Sequence, residues 1–235
     1  MTTLFTILFD GVAYGMLLFV LACGLAVTLG LMNFVNLAHG AFAMTGGYIC
    51  AVLVNNSGWP FFAALPLAFV SAAAVGVVLE RALYRHLYTR SHLDQVLFTI
   101  GLQMVLAKTR FGSRLRAAVD DPRAASGLGI NVPQVFAFTF AFGCGLAGLG
   151  GALSAEILGL DPYFPLKFMI YFLIVVTVGG SSSITGPFLA SLLLGIGDVA
   201  GKYYVPKMGP FVIYTIMIVI LIWRPNGLFG RSAAR

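Results

Sequence analysis

The chain has 235 residues, of which 60% are apolar and only 9% charged, against about 25% charged in an ordinary globular domain. That balance excludes a soluble fold and reads as a single membrane domain over residues 1–235, since no stretch outside the apolar blocks is long enough to build a separate core. The formal charge of +6 does not call for nucleic acid: eight of the fourteen Lys and Arg fall between Arg81 and Arg123, and Arg224, Arg231 and Arg235 follow the last apolar run, which is the distribution of membrane topology.

Leu4 to Leu31 is apolar but for Asp10 and a few threonines, ample for the roughly 20 residues that cross about 30 Å of hydrocarbon, and is the first expected span. Gly11, Gly15, Gly24 and Gly30 within it are the small residues that let a neighbouring membrane helix come close. The N-terminus lacks a positive region and a small-residue cleavage site, so this span is expected to stay in the protein. Met32 to Val54 follows, with Asn33, Asn36, His39 and Thr45 set into an apolar run. Polar side chains at membrane depth are costly unless they face a partner or a water-filled path, so Asn33, Asn36 and His39 are expected to face the protein interior. Interhelical hydrogen bonding accounts for them as residues; lining a translocation path is the functional alternative.

Asn55 to Pro60 reads as a turn with an interfacial Trp59, and Phe61 to Leu79 as a span with Pro66 tolerated inside it. Arg81, Arg85 and Arg90 then mark a cytoplasmic end. The next apolar run, Val96 to Ala107, is about 12 residues or roughly 18 Å of helix, too short to cross. Both of its flanks are basic, which asks for an even number of crossings between them. From Lys108 to Val132 the chain is polar and carries Lys108, Arg110, Arg114, Arg116 and Arg123 against Asp120 and Asp121. Asp121-Pro122 can start a short helix there, Arg123, Ala124, Ala125 and Ser126 continue it, and Gly127 and Gly129 stop it. The result is a short helix lying on the cytoplasmic surface, either an ordinary loop helix or one whose two alanines are open to the close approach of a partner.

Pro133 to Leu160 is a span rich in glycine, with Glu156 near the headgroups at its far end. Phe168 to Ala200 is apolar but broken by Gly179 to Pro187, GGSSSITGP, the mark of a hairpin or a discontinuous helix whose irregular backbone is buried in protein or lines water. It is no phosphate-binding loop, because no lysine lies between Lys167 and Lys202. The expected fold is all-α, a polytopic membrane helix bundle of about 6–7 spans with a discontinuous or hairpin segment.

No motif on the chain carries catalysis. HExxH, GxSxG, CxxC and clustered acids are all missing from the sequence, and Cys23, Cys50 and Cys144 stand alone in apolar segments as small buried hydrophobes. Catalytic residues, metal ligands and cofactors are therefore expected to be none. Three functions remain: a permease driven by a separate ATPase, a secondary transporter or channel for a small solute, and a membrane scaffold. A secondary transporter would want buried Asp, Glu or Arg in its spans, and a scaffold would need neither the polar break nor the polar-studded second helix.

Four blocks carry a family resemblance. FGSRLRAAVDDPRAASGLGINV resembles the cytoplasmic coupling loop of ABC-importer permeases, most closely the branched-chain amino-acid permeases of the LivH type. Asn33-Phe34 with Leu37 to Gly40 and Gly46-Gly47-Tyr48 is similar to that family's INFAHGEF…GAY signature, with Val35 and Asn36 additional and Ala41 in place of an acid. VVTVGGSSSITGPFLASLLLG and WRPNGLFGR resemble two further blocks of the same family. The resemblance implies an importer working by alternating access. It implies as partners ATP-binding cassette subunits, a second homologous permease subunit and a periplasmic or extracellular substrate-binding protein, in a bacterial inner membrane. It places the ATPase contact on Asp121, Arg123, Ala124, Ala125 and Gly129. The path candidates come from the residues themselves: Asn33, Asn36 and His39 as polar groups at membrane depth, and Ser182 and Thr185 in the polar break. Family members carry two further spans between the strings similar to Phe98–Leu102 and Val105–Gly112, whereas here one string runs into the other. The chain is thus expected to have lost a helical hairpin around Leu102 to Val105, by natural deletion or by joining across missing residues. If the chain is continuous, Val96 to Arg116 should form one helix that enters the membrane part-way.

Overall fold

The computed structural model describes residues 2–32, 36–82, 84, 132–161, 163–180 and 184–229. Among these residues the chain forms seven helices and no strand: α1 Thr2–Met32, α2 His39–Ser57, α3 Phe61–Ala82, α4 Val132–Leu158, α5 Phe164–Gly179, α6 Thr185–Tyr204 and α7 Gly209–Trp223. This is the polytopic helical bundle that the composition calls for. The run 91–107, the junction at 102–105 and the coupling loop up to residue 131 lie outside the described residues.

Length and composition sort the helices. α1, α3 and α4 are long and apolar enough to cross a membrane; α5 and α7 are apolar but only 16 and 15 residues long, about 24 and 22 Å at 1.5 Å per residue. α3 buries 22% of its apolar stretch against 56% for α1 and 61% for α4, which sets α3 at the rim and α1 and α4 at the centre.

The close contacts fix every direction. Along α3 and α4, Ala72 meets Gly148 and Gly76 meets Cys144, so the two run antiparallel. Gly24 meets Gly143 and Leu21 meets Gly150, making α1 antiparallel to α4 as well. α2 runs alongside α4, with Phe42 against Phe140 and Gly46 against Gly148. Phe19 stacks edge-on against Phe188 while Gly11 meets Ile196, so α6 rises as α1 descends, and Gly197 against Ile216 with Gly201 against Val212 returns α7 beside α6. The seven helices therefore alternate. Ala82 and Val132 fall at the same end of the bundle, and residues 83–131 begin and end on one side, as the even crossing number requires. Arg81 and Arg224 share that end, which the charge rule makes cytoplasmic.

Helix ends follow local chemistry. α2 is closed by Gly58 in the left-handed region at φ 67°, with the Trp59 N–H on the Leu53 carbonyl at 3.0 Å, and Pro60 then offers its carbonyl to Ala63 and Ala64 to open α3. The apolar run read from Met32 to Val54 does not form one helix. Residues 36–38 are a turn, because the Asn36 side chain bonds the N–H of Ala38 two residues on at 3.0 Å, the local bond by which asparagine competes with helix. Of the two readings offered for the Gly179–Pro187 break, the hairpin is the one observed: Gly179 lies against Gly186 and Pro187.

Candidate functional site

Most buried hydroxyls spend themselves on their own helix. Thr28 bonds the carbonyls of Gly24 and Leu25, Ser154 that of Gly150, and Ser191 that of Phe188. They are packing residues with a satisfied oxygen. The polar groups that reach beyond their own turn are fewer, and they mark the candidate site.

Asn36 and His39 are brought together at the start of α2, 1% and 2% exposed. The Asn36 Oδ1 accepts from the Ala38 N–H and, at 3.3 Å, from the Tyr84 hydroxyl, while its Nδ2 is buried without a hydrogen-bond partner. His39 Nε2–H donates to the Leu21 carbonyl of α1 at 2.8 Å, and its ring stands edge-on to Phe172 of α5 at 5.8 Å. A Cβ on Gly24 would stand 2.7 Å from the imidazole Cε1, so glycine there makes room for the histidine. Four helices thus converge on one buried polar pair: α1, α2, the end of α3 with Tyr84, and α5. Thr185 stands apart, exposed at the first residue of α6. Asn33, Ser182, Asp121, Arg123, Ala124, Ala125 and Gly129 lie outside the described residues.

Two motif blocks that stand far apart in sequence meet at the cytoplasmic end. After α7 the chain turns at Arg224–Gly227, and the N–H groups of Leu228 and Phe229 donate to the carbonyls of Val178 and Gly179 at 2.7 and 3.2 Å. Those are carbonyls that the end of α5 leaves without a helical partner. Gly227, at φ 80°, permits this contact: a Cβ there would stand 2.6 Å from the Thr177 carbonyl and 2.7 Å from the Gly180 nitrogen. The blocks VVTVGG and RPNGLF are therefore two halves of one clasp.

Comparison with known proteins settles the family. The family model described as "Branched-chain amino acid transport system / permease component" matches residues 7–93 and 89–221. This chain belongs to that family. The permease is 24% identical over 291 residues to the high-affinity branched-chain amino acid transport system permease protein LivH of Escherichia coli (strain K12), covering 95% of this chain and 94% of that one. It is 26% identical over 289 residues to the probable branched-chain amino acid transport permease protein LivH of Methanocaldococcus jannaschii, covering 95% and 92%. It is also 33% identical over 133 residues, 50% of this chain and 41% of the other, to the nucleoside ABC transporter permease protein NupC of Lactococcus lactis subsp. cremoris. No solved structure matches. The permease is a multi-pass bacterial inner-membrane protein and a subunit of an ABC importer, a class that works with ATPase and substrate-binding partners. Its alignment to the Escherichia coli relative is longer than the chain: 95% of 235 residues is about 223, so about 68 of the 291 aligned positions have no residue here.

Sequence reasoning overlooked Asp198, which is fully buried in α6 and paired with Lys202. The signal was an acid inside an apolar block four residues before a lysine, DVAGK, one helical turn apart on a single face.

Proposed function

We propose that the permease is the membrane-spanning subunit of an importer for branched-chain amino acids or a related small polar solute, assembled with a second homologous permease subunit, two ATP-binding cassette subunits and an extracytoplasmic binding protein. The observation that carries this reading is the family match, which runs through both halves of the chain and covers nearly the whole length of the LivH relatives. The chain itself performs no chemistry and takes its energy from the ATPase. The short helix at Asp121, Arg123, Ala124, Ala125 and Gly129 docks into the ATPase groove. Asn33, Asn36 and His39, with Ser182 and Thr185, border the path. The burial of Asn36 and His39 at a four-helix junction supports their facing the protein interior. A nucleoside is the second candidate cargo, favoured by the higher identity to the nucleoside permease over 133 residues. Purified permease, co-expressed ATPase and binding protein in proteoliposomes should take up leucine, isoleucine or valine in an ATP-dependent way. Uptake that follows an ion gradient and ignores ATP would instead make the chain a secondary transporter.

The permease also lacks a stretch that its relatives have. Two observations support this: the roughly 68 unfilled alignment positions and a family match that falls into two pieces meeting at 89–93. The antiparallel α3 and α4 are compatible with the loss of a pair of crossings. The two pieces of the match meet about ten residues ahead of 102–105. Tryptic mapping of the natural protein should recover Ser91 to Lys108 as one uninterrupted peptide, since no Lys or Arg lies between Arg90 and Lys108. Extra residues between Leu102 and Val105 in that peptide map would mean that the hairpin is present in the cell's protein.

A further inference from the structure

Asp198 lies on α6 near the end of the bundle opposite Arg81 and Arg224, fully buried, and its Oδ2 accepts from the ammonium of Lys202 one turn later. The lysine side chain is 52% exposed, so the cation reaches in from the solvent end toward a carboxylate that water does not touch. Its stem lies over Gly209 at the start of α7, and its Nζ stands 5.3 Å from the centroid of the Tyr14 ring on α1. Tyr14, Tyr171 of α5 and Asp198 are close enough to interact electrostatically, and Tyr171 in turn reaches Tyr214 of α7. Glycines at 195, 197 and 201 let α1 and α7 close over the acid. The second carboxylate oxygen, Oδ1, is buried and has no hydrogen-bond partner.

A pair that merely neutralised a charge on a helix surface would leave both members in water or bury both with their bonds filled. Here the anion is sealed, half of its bonding capacity is unused, and the cation is a tethered primary ammonium with an aromatic face beside it. We propose that Asp198 and Tyr14 form a binding site for the primary ammonium group of a small solute, and that Lys202 is its resident occupant, displaced when the solute arrives. Exchange of one ammonium for another keeps the charge of the site constant, so the carboxylate is never left bare. Lys202, already half in water, moves out without crossing apolar protein. Oδ1 offers the incoming ammonium a second acceptor. The import reading supplies the natural ligand, the α-ammonium of an amino acid entering from the extracytoplasmic side. The site itself rests on geometry.

The test uses the full permease–ATPase complex in nanodiscs without ATP, with n-butylammonium chloride as probe and sodium chloride at equal ionic strength as control. A water-soluble acetylating reagent is applied, and modification of Lys202 relative to Lys207 is read by mass spectrometry. The ratio corrects for reagent that the probe consumes. The probe should raise the Lys202/Lys207 ratio at least threefold and saturably. In a second arm, Lys202→Met should bind n-butylammonium with at least fivefold lower half-saturation than wild type, measured as thermal stabilisation, because the tethered competitor is gone. Asp198→Asn/Lys202→Met should show no stabilisation. An unchanged labelling ratio in the wild type overturns the proposal, and so does an equal response of the Lys202→Met and double variants. Neither arm requires transport. Amino-acid uptake with an unmoved ratio therefore removes this site and leaves the import reading standing, while a raised ratio without uptake does the reverse.

Discussion

Gly151→Ala should damage the permease more than any other single methyl group in the α2–α4 seam. A Cβ at 151 would stand 1.8 Å from the Ala43 carbonyl oxygen and 2.5 Å from its carbon, both backbone atoms that no rotamer change can move. Ordinary contact begins near 3.4 Å, so α2 and α4 must part by about 1.6 Å. A radial gap of 0.5–1 Å already forfeits a quarter to a half of the dispersion energy at a contact, and the same displacement loosens Gly46 on Gly148 and Phe42 on Phe140. The expected cost is about 3 kcal/mol, at the upper end of what overpacking produces, or about 6–12 °C in melting temperature for a chain of this size. Gly197→Ala is the internal control. Its Cβ meets only the terminal Cδ1 of Ile216, which can swing aside, so that variant should cost less than about 1 kcal/mol. Thermal melting of the two purified variants in one detergent decides the matter. Equal melting temperatures would show that the helices are not held by backbone contact, and the packing account would be wrong.

Ala125→Trp should cut ATP-dependent uptake at least tenfold while membrane insertion and basal ATP hydrolysis persist, because the bulk blocks docking without touching a span; normal import by this variant would remove the coupling assignment. Asn36→Ala removes the acceptor of the Ala38 N–H and the 3.3 Å bond from the Tyr84 hydroxyl and should destabilise by about 1–3 kcal/mol, whereas Tyr84→Phe, which removes only the weaker 3.3 Å bond to Asn36, should cost under about 1 kcal/mol in the same melting assay. Gly227→Ala forces a side chain into the left-handed region and against the Thr177 carbonyl, so residues 224–229 should leave α5 and chymotrypsin should cut at Leu228 or Phe229 several times faster than in the wild type.

The bundle was legible because hydrophobic length is a property of sequence alone. α3 begins at Phe61 where the reading began it, and α1 and α4 match their expected spans within a few residues. What stayed hidden depends on which helix stands beside which. Asn36 belongs to an apolar stretch until its side chain is seen turning the backbone at Ala38. Likewise, Asp198 lies in a segment that sequence alone would let face water, and only the glycines at 195, 197 and 201 bring neighbours near enough to seal it. The break at Gly179–Pro187 was visible, yet nothing local indicated that its carbonyls would be met by residues some fifty positions later.

That long-range closure bears on how the protein is made. The groups that satisfy Val178 and Gly179 sit on Leu228 and Phe229, which leave the ribosome only after every described helix has been synthesised. Until then the end of α5 has open carbonyls, and α5 and α6 enter the translocon as an unfinished pair. The docking of Leu228 and Phe229 onto the α5–α6 hairpin thus comes after α7 has been made. Nascent chains arrested between Trp223 and Leu228 would carry every described helix and still present an open end to membrane quality control.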